Sequence, residues 1–166
     1  MISKKPDLTV FAAIRSQWGK GLDLEKAANA HIEGMYESDY ADPTWDGGIF
    51  GMLQETRQLA EKLLQVAEFD AAFFFAHAAA AMIRRCEVSE VDGPEEEKKV
   101  VEWAKALDMV MEGAVKGWRK QSGNGKKAKQ YAATMVKLLD KGERAKGCDQ
   151  EKWYPQTLMA LRAWAQ

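Results

Sequence analysis

The fold class turns on residues 70–83, Asp70-Ala-Ala-Phe-Phe-Phe-Ala-His-Ala-Ala-Ala-Ala-Met-Ile83. From Ala71 to Ile83 only His77 interrupts the apolar run. Alanine is the strongest helix former, and Phe73, Phe74 and Phe75 at successive 100° steps make the segment apolar on nearly every side. A helix of that kind has no face to give to water, so it is expected to be the central, most enclosed element. Thirteen residues at 1.5 Å each cover about 20 Å, short of the roughly 30 Å hydrocarbon layer, so a buried helix is expected rather than a membrane span. Asp70 stands where it can cap the helix N-terminus.

Helical periodicity continues outward in both directions. Towards the N-terminus, Met52, Leu53, Thr56, Leu59, Ala60, Leu63 and Ala67 define an amphipathic helix from Ile49, joined to the central one by a turn at Glu68-Phe69-Asp70. Before it come a loop over residues 38–48 and two further helices. One carries Leu8, Phe11, Ile14 and Trp18 behind Pro6; the other starts at Asp23 and carries Leu24, His31, Ile32 and Met35. Towards the C-terminus, Asp92-Gly-Pro-Glu95 reads as a capping box for the longest helix, whose face is Val100, Trp103, Ala104, Leu107, Val110, Met111, Ala114 and Trp118. Ser122-Gly-Asn-Gly125 ends it. A helix with Ala128, Tyr131, Met135, Leu138 and Leu139 then runs to Gly142, and a last one over residues 153–166 has Pro155 in its first turn and Leu158, Leu161 and Trp164 as its stripe. No segment alternates with the period of a strand. The expected fold is all-α: a single domain over residues 1–166, an antiparallel bundle of six or seven helices with a flexible lead over residues 1–5.

The hairpin from Leu59 to Ala79 resembles a tetratricopeptide-type helix pair over about one repeat, residues 48–86. Ala60, Ala72 and Ala79 stand where that pattern wants small residues, and Phe69 where it wants an aromatic at the turn. The resemblance implies a helical-repeat-like protein-docking scaffold. The same alanine- and phenylalanine-rich hairpin also resembles HEPN-type helical domains, whose ribonuclease members use an Arg followed by a His within about six residues. Neither His31 nor His77 follows an arginine at that spacing, so this resemblance implies at most a non-catalytic member.

Composition narrows the function classes. With 166 residues, 46% hydrophobic and 30% charged, the chain can bury roughly 70% of its unfolded surface in one core and is too balanced for disorder. Cys86 and Cys148 are too few for a disulfide framework or a four-thiolate zinc site. The N-terminus shows no apolar secretory core, and an intracellular setting, cytoplasmic or nuclear, is expected. The net charge of −1 is a cancellation. Residues 1–115 hold 12 basic and 21 acidic side chains, a net −9, and residues 116–166 hold 12 and 4, a net +8.

His31-Ile-Glu33 has half of a zinc-deaminase motif, but no Pro-Cys-x-x-Cys completes it. His77 on an alanine-rich helix reads as a core histidine. Ser122-Gly-Asn-Gly-Lys-Lys127 lacks the first glycine, the final Ser or Thr and the preceding strand of a phosphate loop, though a helix starting with two lysines can hold an anion. The stretch Tyr36, Asp39, Tyr40, Asp42, Trp45 forms an acidic and aromatic loop that offers carboxylates to a cation or a basic peptide, without the alternating carboxylates of a calcium loop. Tyr40 and Trp45 are expected to pin it to the core with its carboxylates hydrated and Asp46 capping the helix that follows.

The strongest functional feature is basic. Lys116, Arg119, Lys120, Lys126, Lys127 and Lys129 occur with no acid among them, interleaved with Trp118 and Tyr131, and Lys137, Lys141, Arg144 and Lys146 extend the segment. Trp118 continues the apolar stripe of its helix and is expected in the core. The expected function is a non-enzymatic protein-interaction or adaptor module with an acidic body and a basic C-terminal segment, requiring no cofactor and no metal. Nucleic-acid or phosphate binding through residues 116–146 is the alternative, and the opposed charges also permit self-association. No membrane partner is expected.

Overall fold

The computed structural model describes residues 48–86, 94–145 and 154–166. All elements among them are helices: α1 (Gly48–Gln65), α2 (Phe69–Cys86), α3 (Pro94–Ser122), α4 (Lys126–Ala145) and α5 (Pro155–Ala165). The described residues thus hold five helices, not six or seven. The two others expected, around Leu8–Trp18 and from Asp23, lie outside the described residues, as do Asp92 and the loop after Ser38.

Residues 71–80 of α2 are buried without exception. This is the enclosure that the alanine and phenylalanine content demands, and α2 lies between α1 and α3. Burial of Phe73 and Phe75 alone contributes roughly 2–3 kcal/mol each by area. His77 is 3% exposed and stacks on Tyr154 of the α5 entry at 5.9 Å, so it belongs to the core.

The α1–α2 turn sits earlier than the sequence suggests. α1 stops at Gln65 because Ala67 turns left-handed at φ 61°, with Glu68 N–H donating to Leu63 O at 2.9 Å and Ala67 N–H to Leu64 O at 3.1 Å. That pair of bonds is a Schellman stop, and α2 starts at Phe69. Asp70 is therefore inside the first turn of α2 rather than at its N-cap position. Its Oδ1 accepts a 2.7 Å hydrogen bond from Trp118 Nε1, tying the start of α2 to the end of α3.

Close approach of this turn to α3 depends on two glycines in the middle of a 29-residue helix. A Cβ on Gly113 would lie 2.8 Å from Leu64 Cδ2, and one on Gly117 would overlap the ring of Phe69. Mid-helix glycine costs about 1 kcal/mol relative to alanine, and here the four-residue spacing sets both on one side as a notch for Leu64 and Phe69.

α3 ends at Ser122 through Gly123, whose φ of 74° suits glycine and whose N–H donates to Arg119 O at 2.8 Å. The chain reverses into α4, and α5 then bridges α3 and α4. Each end of α5 is anchored. At its start, Tyr154 supplies no side-chain cap; the buried carboxylate of Asp108 on α3 does so from 48 residues away. Asp108 Oδ2 accepts from Gln156 N–H at 3.0 Å, and its Oδ1 accepts from Thr157 N–H at 3.0 Å and from the Thr157 hydroxyl at 2.7 Å. Near its end, Trp164 Nε1 donates to Gly123 O at 3.0 Å, fixing α5 to the α3–α4 turn. Leu158, Leu161 and Trp164 form the buried stripe that the sequence indicates, with Thr157 beside them.

Candidate basic docking face

The α3–α4 turn is only three residues long, so the C-terminal lysines and arginine of α3 and the N-terminal lysines of α4 meet at one end of the molecule. Lys116, Arg119, Lys120, Lys126, Lys127 and Lys137 are exposed and Lys129 is half-buried. Three of these are oriented internally. Lys116 Nζ pairs with Glu112 at 2.8 Å, Arg119 Nε donates to Asn124 Oδ1 at 2.9 Å, and Lys129 Nζ donates to Gln166 O at 3.0 Å. Solvent-exposed pairs of this kind contribute little to stability, but they fix where the cationic heads stand.

α4 itself separates its charges by face. Ala132, Met135 and Leu139 are buried, with Ala128 packed against the core. At 100° per residue, Lys126, Gln130, Ala133 and Lys137 fall on the opposite side. Among the described side chains the result is a stripe from Lys126 to Lys137, 11 residues apart and about 17 Å long. The side chains of Lys141 and Arg144 lie outside the described residues, as does Lys146.

A shallow open groove of about 460 Å³ lies at the start of the stripe, lined by Asn124, Lys126, Lys129, Gln130, Ala133 and Ala165. Sequence reading singled out the lysines but missed Gln130, Ala133 and Ala165. The spacing of 4, 7 and 11 residues from Lys126 is the signal that reveals the stripe; nothing local in the sequence brings Ala165 to it.

The lysines at the α4 start oppose the helix dipole. The first turn contains no acid, and Lys126 and Lys127 stand at the positive end, where a cation costs roughly 0.3–1 kcal/mol. An anion held there would reverse that penalty.

The interleaved aromatics are structural. Trp118 is 5% exposed, its ring lies 4.8 Å from Phe73, and Tyr131 bridges it to Trp164 at centroid distances of 6.0 and 5.8 Å. Neither is a platform on which a base can stack. The other predicted site, Tyr36, Asp39, Tyr40, Asp42 and Trp45, lies outside the described residues. Among the described residues no group of three or more His, Cys, Asp or Glu side chains could hold a metal ion, and no helix is long and apolar enough to cross a membrane. No protein-family model, no curated protein and no solved structure matches this chain.

Proposed function

We propose that the chain is a non-enzymatic protein-interaction module that docks an acidic segment of a partner protein along α4 and the adjoining end of α3. The observation that carries this reading is the gathering of exposed Lys116, Arg119, Lys120, Lys126 and Lys127 about the α3–α4 turn, with Lys137 on the side of α4 opposite its core and two lysines at the α4 start that the helix dipole disfavours. A local rule broken at an exposed position, with no compensating acid in the first turn, is the pattern expected of a functional surface. The tetratricopeptide-like reading of the α1–α2 pair belongs to the same proposal, with the hairpin as the scaffold.

A phosphate backbone offers the same charge. The protein reading is preferred because Trp118 and Tyr131 are committed to the core and lysine dominates over the bidentate arginine that reads bases.

Charge reversal separates folding from binding. Lys126→Glu with Lys127→Glu is expected to raise stability by about 1 kcal/mol, because acids then face the positive helix end. It is also expected to weaken a fluorescein-labelled glutamate-rich peptide by tenfold or more in anisotropy titrations. Unchanged affinity would sink the docking reading. A single-stranded oligonucleotide that outcompetes the peptide at physiological salt would turn it into a nucleic-acid surface.

A further inference from the structure

We propose that Ser122, the last residue of α3, is the acceptor for an arginine-directed serine/threonine kinase, and that the phosphate it receives closes the basic docking face. The regulatory half deepens the docking reading and rests on it; the acceptor site stands on its own observations.

The sequence singles this hydroxyl out. Of the ten serines and threonines in the chain, Ser122 is the one with a lysine or arginine three residues before it, Arg119, and Lys120 follows at the next position. No acidic residue occurs from Gly113 to Leu139, so nothing in that stretch repels the acidic groove with which such a kinase holds a basic substrate. Burial then separates Ser122 from the other described hydroxyls. Thr56 and Thr157 are buried, and the Thr134 hydroxyl donates to Gln130 O at 2.9 Å within α4. Ser122 is exposed.

The backbone around it is built to open. A kinase takes its substrate as extended chain, so the last turn of α3 has to unwind. Arg119, Lys120, Gln121 and Ser122 are all exposed, and so are Asn124, Gly125, Lys126 and Lys127. Unwinding therefore uncovers no buried side chain; it gives up the Gly123 N–H bond to Arg119 O and the Arg119 bond to Asn124, with the last helical bonds. Trp118 on one side, its buried indole held on Asp70, and Trp164 on the other, bonded to Gly123 O, confine the opening to this turn. A Cβ built on Gly123 or Gly125 would meet nothing within 4 Å among the described residues, which leaves room for an approaching enzyme.

In the transfer, Ser122 Oγ attacks the γ-phosphorus of ATP. A new O–P bond forms, the bond to the bridging β–γ oxygen breaks, ADP leaves, and the hydroxyl proton passes to a carboxylate base of the kinase. The product sets a charge of about −1.5 to −2 among Lys116, Arg119, Lys120, Lys126 and Lys127. Arg119 stands one helical turn before it and Lys126 four residues after it, and both then have a phosphate to pair with in place of a partner's carboxylates.

The test treats the full chain with cyclic-AMP-dependent protein kinase and ATP, maps phosphate by tandem mass spectrometry, and titrates the product with the fluorescein-labelled glutamate-rich peptide. One phosphate is expected, on Ser122, absent from Ser122→Ala and formed at least tenfold more slowly in Arg119→Ala. The phosphorylated chain is expected to bind the peptide at least tenfold more weakly, with its helical circular dichroism unchanged. Phosphate found only on other residues, or on none, would overturn the site. Equal, measurable affinity of the two forms, or a phosphorylated chain that loses its helices, would overturn closure of the face by charge. If the unmodified chain does not bind the peptide at all, the docking reading fails and the regulatory half with it, and the phosphate map decides the acceptor site alone.

Discussion

Two small residues show how much of this fold is set by backbone geometry rather than by hydrophobic pattern. Ala67 holds φ 61°, a region that costs a residue with a Cβ about 1 kcal/mol, and its side chain is exposed. Ala67→Gly is therefore expected to stabilise the chain by roughly 0.5–1 kcal/mol in urea unfolding; a loss of stability would show that the Schellman stop is misassigned. Gly117 is the opposite case. Alanine is the better helix former by about 1 kcal/mol, yet a methyl group there meets the Phe69 ring, so Gly117→Ala is expected to cost about 1–3 kcal/mol. A stabilised Gly117→Ala chain would contradict the packing of Phe69 on α3. Neither residue announces itself in the sequence. Gly113 and Gly117 are visible as a four-residue pair, but what fills the notch comes from some 50 residues away, and Ala67 simply continues the apolar pattern of α1 past its true end.

The helices themselves were largely legible. α2 is central because its composition leaves it no exposed face, and the Leu158, Leu161, Trp164 stripe of α5 is buried as its spacing implies. The ends were less so, since they depend on long-range partners. α5 is the clearest example: its N-terminal amides are satisfied by Asp108, a residue that the sequence pattern of α3 sets beside Leu107 with no hint of a cap. Removing that carboxylate leaves the Gln156 and Thr157 amides and the Thr157 hydroxyl without it. Asp108→Ala is expected to cost about 2–3 kcal/mol and Asp108→Asn about half as much, because Asn keeps one acceptor. Thermal unfolding of the two variants checks this order; an Asp108→Ala chain as stable as the original would remove the tertiary cap from the description. Trp118 makes the complementary point. Its place in the apolar stripe was legible, and its indole N–H bond to Asp70 explains how a tryptophan near the basic end stays in the core.

At the scale of the whole molecule, the charge asymmetry read from composition becomes a surface with direction. Lys116, Arg119, Lys120, Lys126 and Lys127 gather around the short α3–α4 turn and Lys137 stands on the solvent side of α4, while Met135 and Leu139 hold the other side in the core. The segregation was present in the sequence as a spacing of 11 residues between Lys126 and Lys137, and became readable once α4 had a buried face to oppose it. The same arrangement implies a strong salt dependence for any acidic ligand, since exposed pairs are screened beyond about 10 Å at 0.1 M salt. The most direct measurement is a two-dimensional amide NMR titration of the full chain with a glutamate-rich peptide at low and high salt. Shifts at low salt are expected to concentrate on residues 116–137, with the largest at Lys126, Lys127 and Gln130, and to vanish at high salt. Saturating peptide that moves only amides elsewhere in the molecule, or none, would contradict a docking face on α4.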